Sequence, residues 1–180
     1  MQIVKITKKG LRKAHTSGFL EKVKEKGLIV RLDKDNLTLE FYAKDPFVEL
    51  KGKDVLTAFC LSEGSIDLNR ALGLFSEDTY LKVIDLGEIY NDNEKTITRI
   101  LSRVIGTNGK TKLILEEITE SSITIYKDKI FIIGFLEEIH LAHEAIDSLM
   151  AGITHKKVYS LLERGRRKIR EEKMRLWKGE

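Results

Sequence analysis

Between Val104 and Lys112 the chain reads Val-Ile-Gly-Thr-Asn-Gly-Lys-Thr-Lys, two glycines flanking Thr107 and Asn108 between segments of helical periodicity. Ile97, Ile100, Leu101, Val104 and Ile105 precede it at helical spacing. Leu113, Ile114, Leu115 and Ile118 follow, with Glu116 and Glu117 expected on the outward face. Two helices meeting at Gly106-Thr107-Asn108-Gly109 bring main-chain N–H groups and the positive end of a helix dipole to one point, which suits a phosphate. Glycine suits that point because a side chain would hold a sugar–phosphate strand away.

The flanking segments restrict the choice further. Ser122 to Tyr126 alternates as a strand, Lys127-Asp128-Lys129 is a polar turn, and Ile130 to Phe135 is a second, more apolar strand. Leu136, Ile139, Leu141, Ala142, Ala145, Ile146, Leu149 and Met150 mark an amphipathic helix stopped by Gly152. Leu81 to Leu86 reads as a strand ahead of the loop. The order strand, helix, GxxG, helix, strand, strand, helix resembles the type I KH module, whose loop clamps about four nucleotides of single-stranded backbone.

The N-terminal part repeats this pattern weakly. Ile3 to Ile6 is a short strand, Leu11 to Ala14 a helical turn, and Phe19 to Lys26 a helix ended by Gly27. Leu28 to Leu32 and Leu37 to Tyr42 are strands joined by the turn Asp33-Lys34-Asp35-Asn36, and Asp45-Pro46 opens a helix through Phe59. The register that should carry GxxG gives His15-Thr16-Ser17-Gly18, where the His15 imidazole obstructs close backbone approach. Alternatively, Gly10 and Gly18 are ordinary loop glycines. The expected fold class is therefore α+β, two tandem type I KH-like units (β-α-α-β-β-α) joined by a short helix, plus a basic C-terminal helix. The expected boundaries are 1–64 for a degenerate KH-like domain, 65–77 for the linking helix, 78–152 for the KH domain and 153–180 for the basic helix.

Charge matters mainly in the tail. The net charge of +4 conceals ten Lys/Arg against four Glu from Lys156 onward, so the rest of the chain is close to neutral. Val158, Leu161, Leu162, Ile169 and Leu176 form a thin apolar stripe there, interrupted by Gly165. No apolar run approaches a membrane span, and the N-terminal residues from Met1 lack a signal-peptide pattern. A lone cysteine, Cys60, lies among Leu56, Phe59 and Leu61 and reads as a buried core thiol. A cytoplasmic location and no membrane association are expected.

The chain resembles the archaeal relatives of the partner-of-Nob (Dim-type) family of tandem KH proteins. The resemblance is carried by Asp45-Pro46-Phe47, Arg70-Ala71-Leu72, Tyr80 to Leu86, Arg103 to Gly106 with Gly109-Lys110-Thr111, and Ile133-Gly134. The tail adds Gly152, His155, Val158-Tyr159 and Leu162-Glu163-Arg164, a group KH domains in general do not share. The resemblance implies a non-enzymatic factor that binds small-subunit ribosomal RNA near its 3′ end, with an rRNA-processing endonuclease and a translation initiation factor as partners. Family members usually carry a basic residue after the first loop glycine, where this chain has Thr107.

The candidate RNA site is Gly106, Thr107, Asn108 and Gly109, offering main-chain N–H groups, with Lys110 and Lys112 adding charge and Ile105 at the loop entrance. Arg99 and Arg103 share a face of the preceding helix, either flanking the groove or simply solvated. Ile123, Thr124 and Ile125 would form the opposite wall, or serve the core. Arg164, Arg166, Arg167, Lys168 and Arg170 are candidates for secondary RNA or ribosome contact. No Walker loop, nucleophile elbow or paired-carboxylate signature is present, and the pairs Glu116-Glu117 and Glu137-Glu138 fit solvated helix faces. His140, His143 and His155 lack the ligand set of a zinc site, so no metal or cofactor is expected. The competing readings are a protein-interaction scaffold or translational regulator, in which RNA contact is secondary, and, behind both, a metal-dependent nuclease.

Overall fold

The structure is a computed structural model. It describes all residues except Met1, Lys34, Asp35, Gly179 and Glu180, and the side chains of all described residues except Leu176 and Lys178. The chain divides into two compact units, Met1–Leu81 and Lys82–Glu180.

In the first unit, β1 (Gln2–Lys5), α1 (Lys8–Thr16), α2 (Phe19–Glu25), β2 (Leu28–Asp33), β3 (Thr38–Ala43) and α3 (Pro46–Leu61) precede the short α4 (Leu68–Gly73). The sheet order is β1-β3-β2, both pairings antiparallel, with Val4 opposite Leu39 and Val30 opposite Phe41. Leu39 and Phe41 point from β3 into the core, where Phe19 stacks on Phe59 with ring centroids 4.1 Å apart. Cys60 is fully buried. The expected turn after Asp33 falls partly on Lys34 and Asp35, outside the described residues.

Two N-terminal readings change. Gly10 is no loop glycine; it lies inside α1, where a Cβ would sit 2.9 Å from the carbonyl carbon of Cys60. It lets α1 approach α3. His15 and Thr16 complete α1, so only Ser17 and Gly18 connect it to α2, with Gly18 at φ 69°. The first unit thus has a two-residue corner where the second has a four-residue loop. Beyond α4, Lys51 fastens the chain back to α3. Its buried ammonium donates to Glu77 O at 3.1 Å and Thr79 O at 2.7 Å and lies 4.1 Å from the centre of the Tyr80 ring.

The boundary crosses β4 (Tyr80–Asp85), whose first two residues end the first unit; the second unit continues it and contains α5 (Leu86–Tyr90), α6 (Glu94–Ile105), α7 (Lys110–Thr119), β5 (Ser122–Tyr126), β6 (Lys129–Gly134), α8 (Leu136–Met150) and α9 (His155–Lys178). Its sheet order is β4-β6-β5, the same arrangement as in the first unit, with Ile123 opposite Ile132. The core gathers Ile84, Ile100, Val104, Leu115, Ile123, Ile132, Ile146 and Leu149. The single turn α5 has no counterpart in the sequence expectation. Asp85 starts it by accepting the Glu88 amide at 3.1 Å, and Asn91 ends it in the left-handed region at φ 49°.

The basic helix belongs to this core. Val158 and Leu162 are buried beside Leu149, whereas Leu161, assigned to the apolar stripe, is 47% exposed. The Leu176 side chain lies outside the described residues. Gly165, the gap in that stripe, faces Leu141 of α8 so closely that a Cβ would overlap Leu141 Cδ1. Among the described residues no helix is long and apolar enough to cross a membrane.

Candidate nucleic-acid interface

The loop is built by the way α6 stops. The Gly106 N–H still donates to Ser102 O at 2.9 Å, but its φ of 72° turns the chain out of the helix. The Gly109 N–H donates back to Gly106 O at 3.2 Å, and Lys110 N–H to Thr107 O, closing one tight turn. Asn108 takes the left-handed conformation at φ 53°, Gly109 the same at φ 77°. Of the four amides expected to cradle a backbone, those of Gly106 and Gly109 are therefore used within the turn. The amides of Thr107 and Asn108 have no acceptor among the described residues, and both residues are exposed. The two glycines differ. A Cβ on Gly106 would lie 2.8 Å from Thr111 N, whereas one on Gly109 would meet nothing within 4 Å. Gly106 serves the turn itself and Gly109 leaves open space outside it.

Ile105 at the end of α6 is 36% exposed and Leu113 near the start of α7 is 62% exposed, so each helix that the loop joins carries a large exposed apolar side chain. Sequence reasoning assigned Leu113 only to helix periodicity; its exposure beside the glycines is what marks it. Glu116, expected on a solvated face, instead joins α7 to the sheet edge. Its carboxylate accepts the Ile123 amide at 2.7 Å through Oε1 and pairs with Lys112 Nζ at 2.7 Å through Oε2. Lys112 is thus a neutralised cation. Ile123 is buried at 1% exposure, while Thr124 and Ile125 are half-buried on the outer strand of the sheet.

The loop also borders the start of α9. A cleft of about 680 Å³ runs from Thr107 and Lys110 past Arg99 and Ser102 to His155 and Tyr159. Arg99 and Arg103, four apart on α6, end in different circumstances. Arg103 donates from Nε to Leu149 O at 2.9 Å and from a terminal nitrogen to Ile153 O at 2.6 Å, closing the turn between α8 and α9. Its own carbonyl contacts His155 Nε2 at 3.0 Å. Arg99 is exposed and has no ion-pair partner among the described residues, and the same holds for Lys110. The Tyr159 hydroxyl donates to Thr111 Oγ1 at 3.3 Å. His155 and Tyr159 carried the family resemblance but no assigned role; only the folded chain brings them to the loop.

The tail cations are less uniform than a charged run suggests. Arg166 pairs with Glu120 and is largely covered. Arg164 Nε donates to Ser160 O at 3.2 Å on its own helix, and Arg167, Lys168 and Arg170 are exposed. Glu138, expected in solvent, is buried and accepts the Phe135 amide at 3.1 Å, capping α8. Among the described residues no group of three or more His, Cys, Asp or Glu side chains is placed to hold a metal.

A three-stranded antiparallel sheet, a helix pair joined by a glycine loop and a third helix define the class, a type I KH unit. Comparison with known proteins agrees. Residues 80–167 match the family model for the second KH domain of the PNO1 proteins, described as a eukaryotic-type KH domain, type I. The chain is 35% identical over 159 residues to the KH domain-containing protein MJ0443 of Methanocaldococcus jannaschii, covering 86% of this chain and 68% of that one. It is 29% identical to the pre-rRNA-processing protein PNO1 of Candida glabrata, covering 80% of this chain but 56% of the fungal one. Among solved structures, Dim2p in the a/eIF2alpha-aDim2p-rRNA complex of Pyrococcus horikoshii superposes with a TM-score of 0.77 at 26% identity, over 93% of this chain and 94% of that one. The chain belongs to the archaeal partner-of-Nob (Dim-type) family of tandem KH proteins.

Proposed function

We propose that this protein binds single-stranded RNA through the Gly106–Gly109 loop and acts in processing of small-subunit ribosomal RNA. The observation that carries the reading is the exposed pair of amides at Thr107 and Asn108, unsatisfied among the described residues, with exposed Ile105 and Leu113 on the helices the loop joins and the cations Arg99 and Lys110 in the adjoining cleft. Backbone amides and cations position the strand; apolar side chains beside them accept bases. The first unit has a two-residue corner in place of such a loop, so no second groove of the same kind is assigned to it.

Family membership supports the biological setting. The fungal relative is named for pre-rRNA processing, and the Pyrococcus neighbour was solved with rRNA. In the finer form of the proposal, the loop holds rRNA near its 3′ end and presents it to a processing endonuclease, while this chain itself cuts nothing and works in the cytoplasm. The complex with a/eIF2alpha favours a second reading, in which a translation initiation factor is a direct protein partner.

The test is Thr107→Asp combined with Asn108→Asp. Both side chains project from an exposed turn, so the fold is retained while two carboxylates occupy the phosphate position. RNA affinity should fall at least about tenfold, and unmodified affinity in the folded double variant defeats the reading. Binding of purified initiation factor by nuclease-treated protein tests the second reading separately.

A further inference from the structure

The loop borders the cleft that runs to the start of α9. Lys112, on α7, is already paired with Glu116. The cleft carries Arg99 and Lys110, which have no ion-pair partner among the described residues, and no carboxylate lines it. Thr107 borders this cleft, so it is continuous with the free amides. Its far wall is Tyr159, half-buried, with its ring 6.2 Å from that of His155 and tilted by 59°. The walls are also fixed: Arg103 and His155 bind main-chain oxygens on opposite sides and hold the start of α9 to the end of α6.

We propose that the strand does not end at the glycine turn but continues into the cleft between α6 and α9, with Arg99 and Lys110 contacting its phosphates and the Tyr159 ring abutting a base. This extended site rests on the RNA-binding reading above. A cation-lined channel with no acidic wall fits a polyanion, and an aromatic wall fits an unstacked base. The occupant is single-stranded RNA longer than the stretch the loop itself can clamp. In this arrangement α9 is part of the binding surface from its first two turns, ahead of the arginine-rich segment.

The test compares two random-sequence RNA pools, one of about twelve nucleotides and one of about four, on the full chain. Charge is reversed or added at two exposed cleft positions, Arg99→Glu and Ser102→Glu. Lys82→Glu, on the exposed face of β4, controls for net charge. The longer pool should bind about tenfold or more weakly to either cleft variant, with its salt slope reduced by about 0.7 for each phosphate no longer neutralised. For Ser102→Glu the shorter pool should change by less than about twofold, and the control should change neither pool. Thiouridine-substituted RNA of the longer length should cross-link to the peptide containing Tyr159. Unchanged affinity of the longer pool for both cleft variants, with binding abolished by Thr107→Asp/Asn108→Asp, overturns the cleft while leaving the loop intact. Cross-links confined to β5 do the same. If the loop variant also binds normally, the cleft falls together with the reading on which it rests.

Discussion

Gly106 lies against Thr111 so closely that a Cβ on the glycine would stand 2.7 Å from Thr111 Cβ and 2.8 Å from its amide nitrogen. Gly109, at the other end of the same turn, has open space where its Cβ would be. Both have positive φ, but only one is packed. Gly106→Ala should therefore destabilise the protein by about 2–4 kcal/mol, from backbone strain plus the clash, and Gly109→Ala by about 1 kcal/mol, from strain alone. Urea unfolding of the two variants measures this, and equal losses would contradict the packing described.

Arg103 is expected to matter for the fold more than for the ligand. Arg103→Ala removes the side-chain donor from Ile153 O and leaves Leu149 O with the Gly152 amide, and should cost about 1–3 kcal/mol in unfolding experiments. Arg103→Lys should recover only part of that, because an ammonium cannot reproduce a planar fork reaching two carbonyls. Full recovery by lysine would mean that charge alone matters at this position.

Asp85 supplies a pH-dependent contribution. Partial burial pushes its carboxyl upward, but the Lys129 ammonium and the Glu88 and Gly87 amides outweigh that and hold it below the usual carboxylate range. A depressed folded-state value stabilises the protein above the ordinary carboxylate pKa, and the contribution is lost as pH falls through the depressed value. Stability measured by urea unfolding should therefore decline on acidification, and Lys129→Met should flatten that decline. An acid limb of the same steepness in the variant would remove Asp85 as its source.

Cys60 should be silent until the fold opens. Burial pushes its thiol up to about 12, and no part of it is exposed. A thiol-specific chromogenic reagent at mildly alkaline pH should label the native protein slowly and the urea-unfolded protein at once. Rapid labelling of the native protein would show that α3 is not packed as described.

Much of the second unit is readable from periodicity alone. Ile97, Ile100 and Val104 predict α6, and the alternation of β5 and the apolar run of β6 predict their pairing, because each segment has one strongly apolar face. The α5 turn was not readable, since five residues carry no period and a single Asp85 cap creates it. Gly10 was misread for a different reason. The face α1 buries consists of Gly10 and Ala14, and a surface of so little side chain leaves almost no hydropathy signal. At the site, the loop was legible but its donor count was not, because Gly109 N–H returns to Gly106 O only once Asn108 adopts its left-handed conformation. The differing roles of Arg99 and Arg103 were hidden as well. Both lie on one face of the same helix, and what separates them is a pair of carbonyls 46 and 50 residues away from Arg103.

The bonds joining Arg103 to Leu149 and Ile153, and His155 to Arg103, have a consequence for thermodynamics. They brace the stem of the glycine turn before any ligand arrives, so the ordering entropy is settled when the chain folds and not when the complex forms. Association should then be close to rigid-body docking, with a heat-capacity change no larger than the apolar surface of Ile105, Leu113 and Tyr159 can account for.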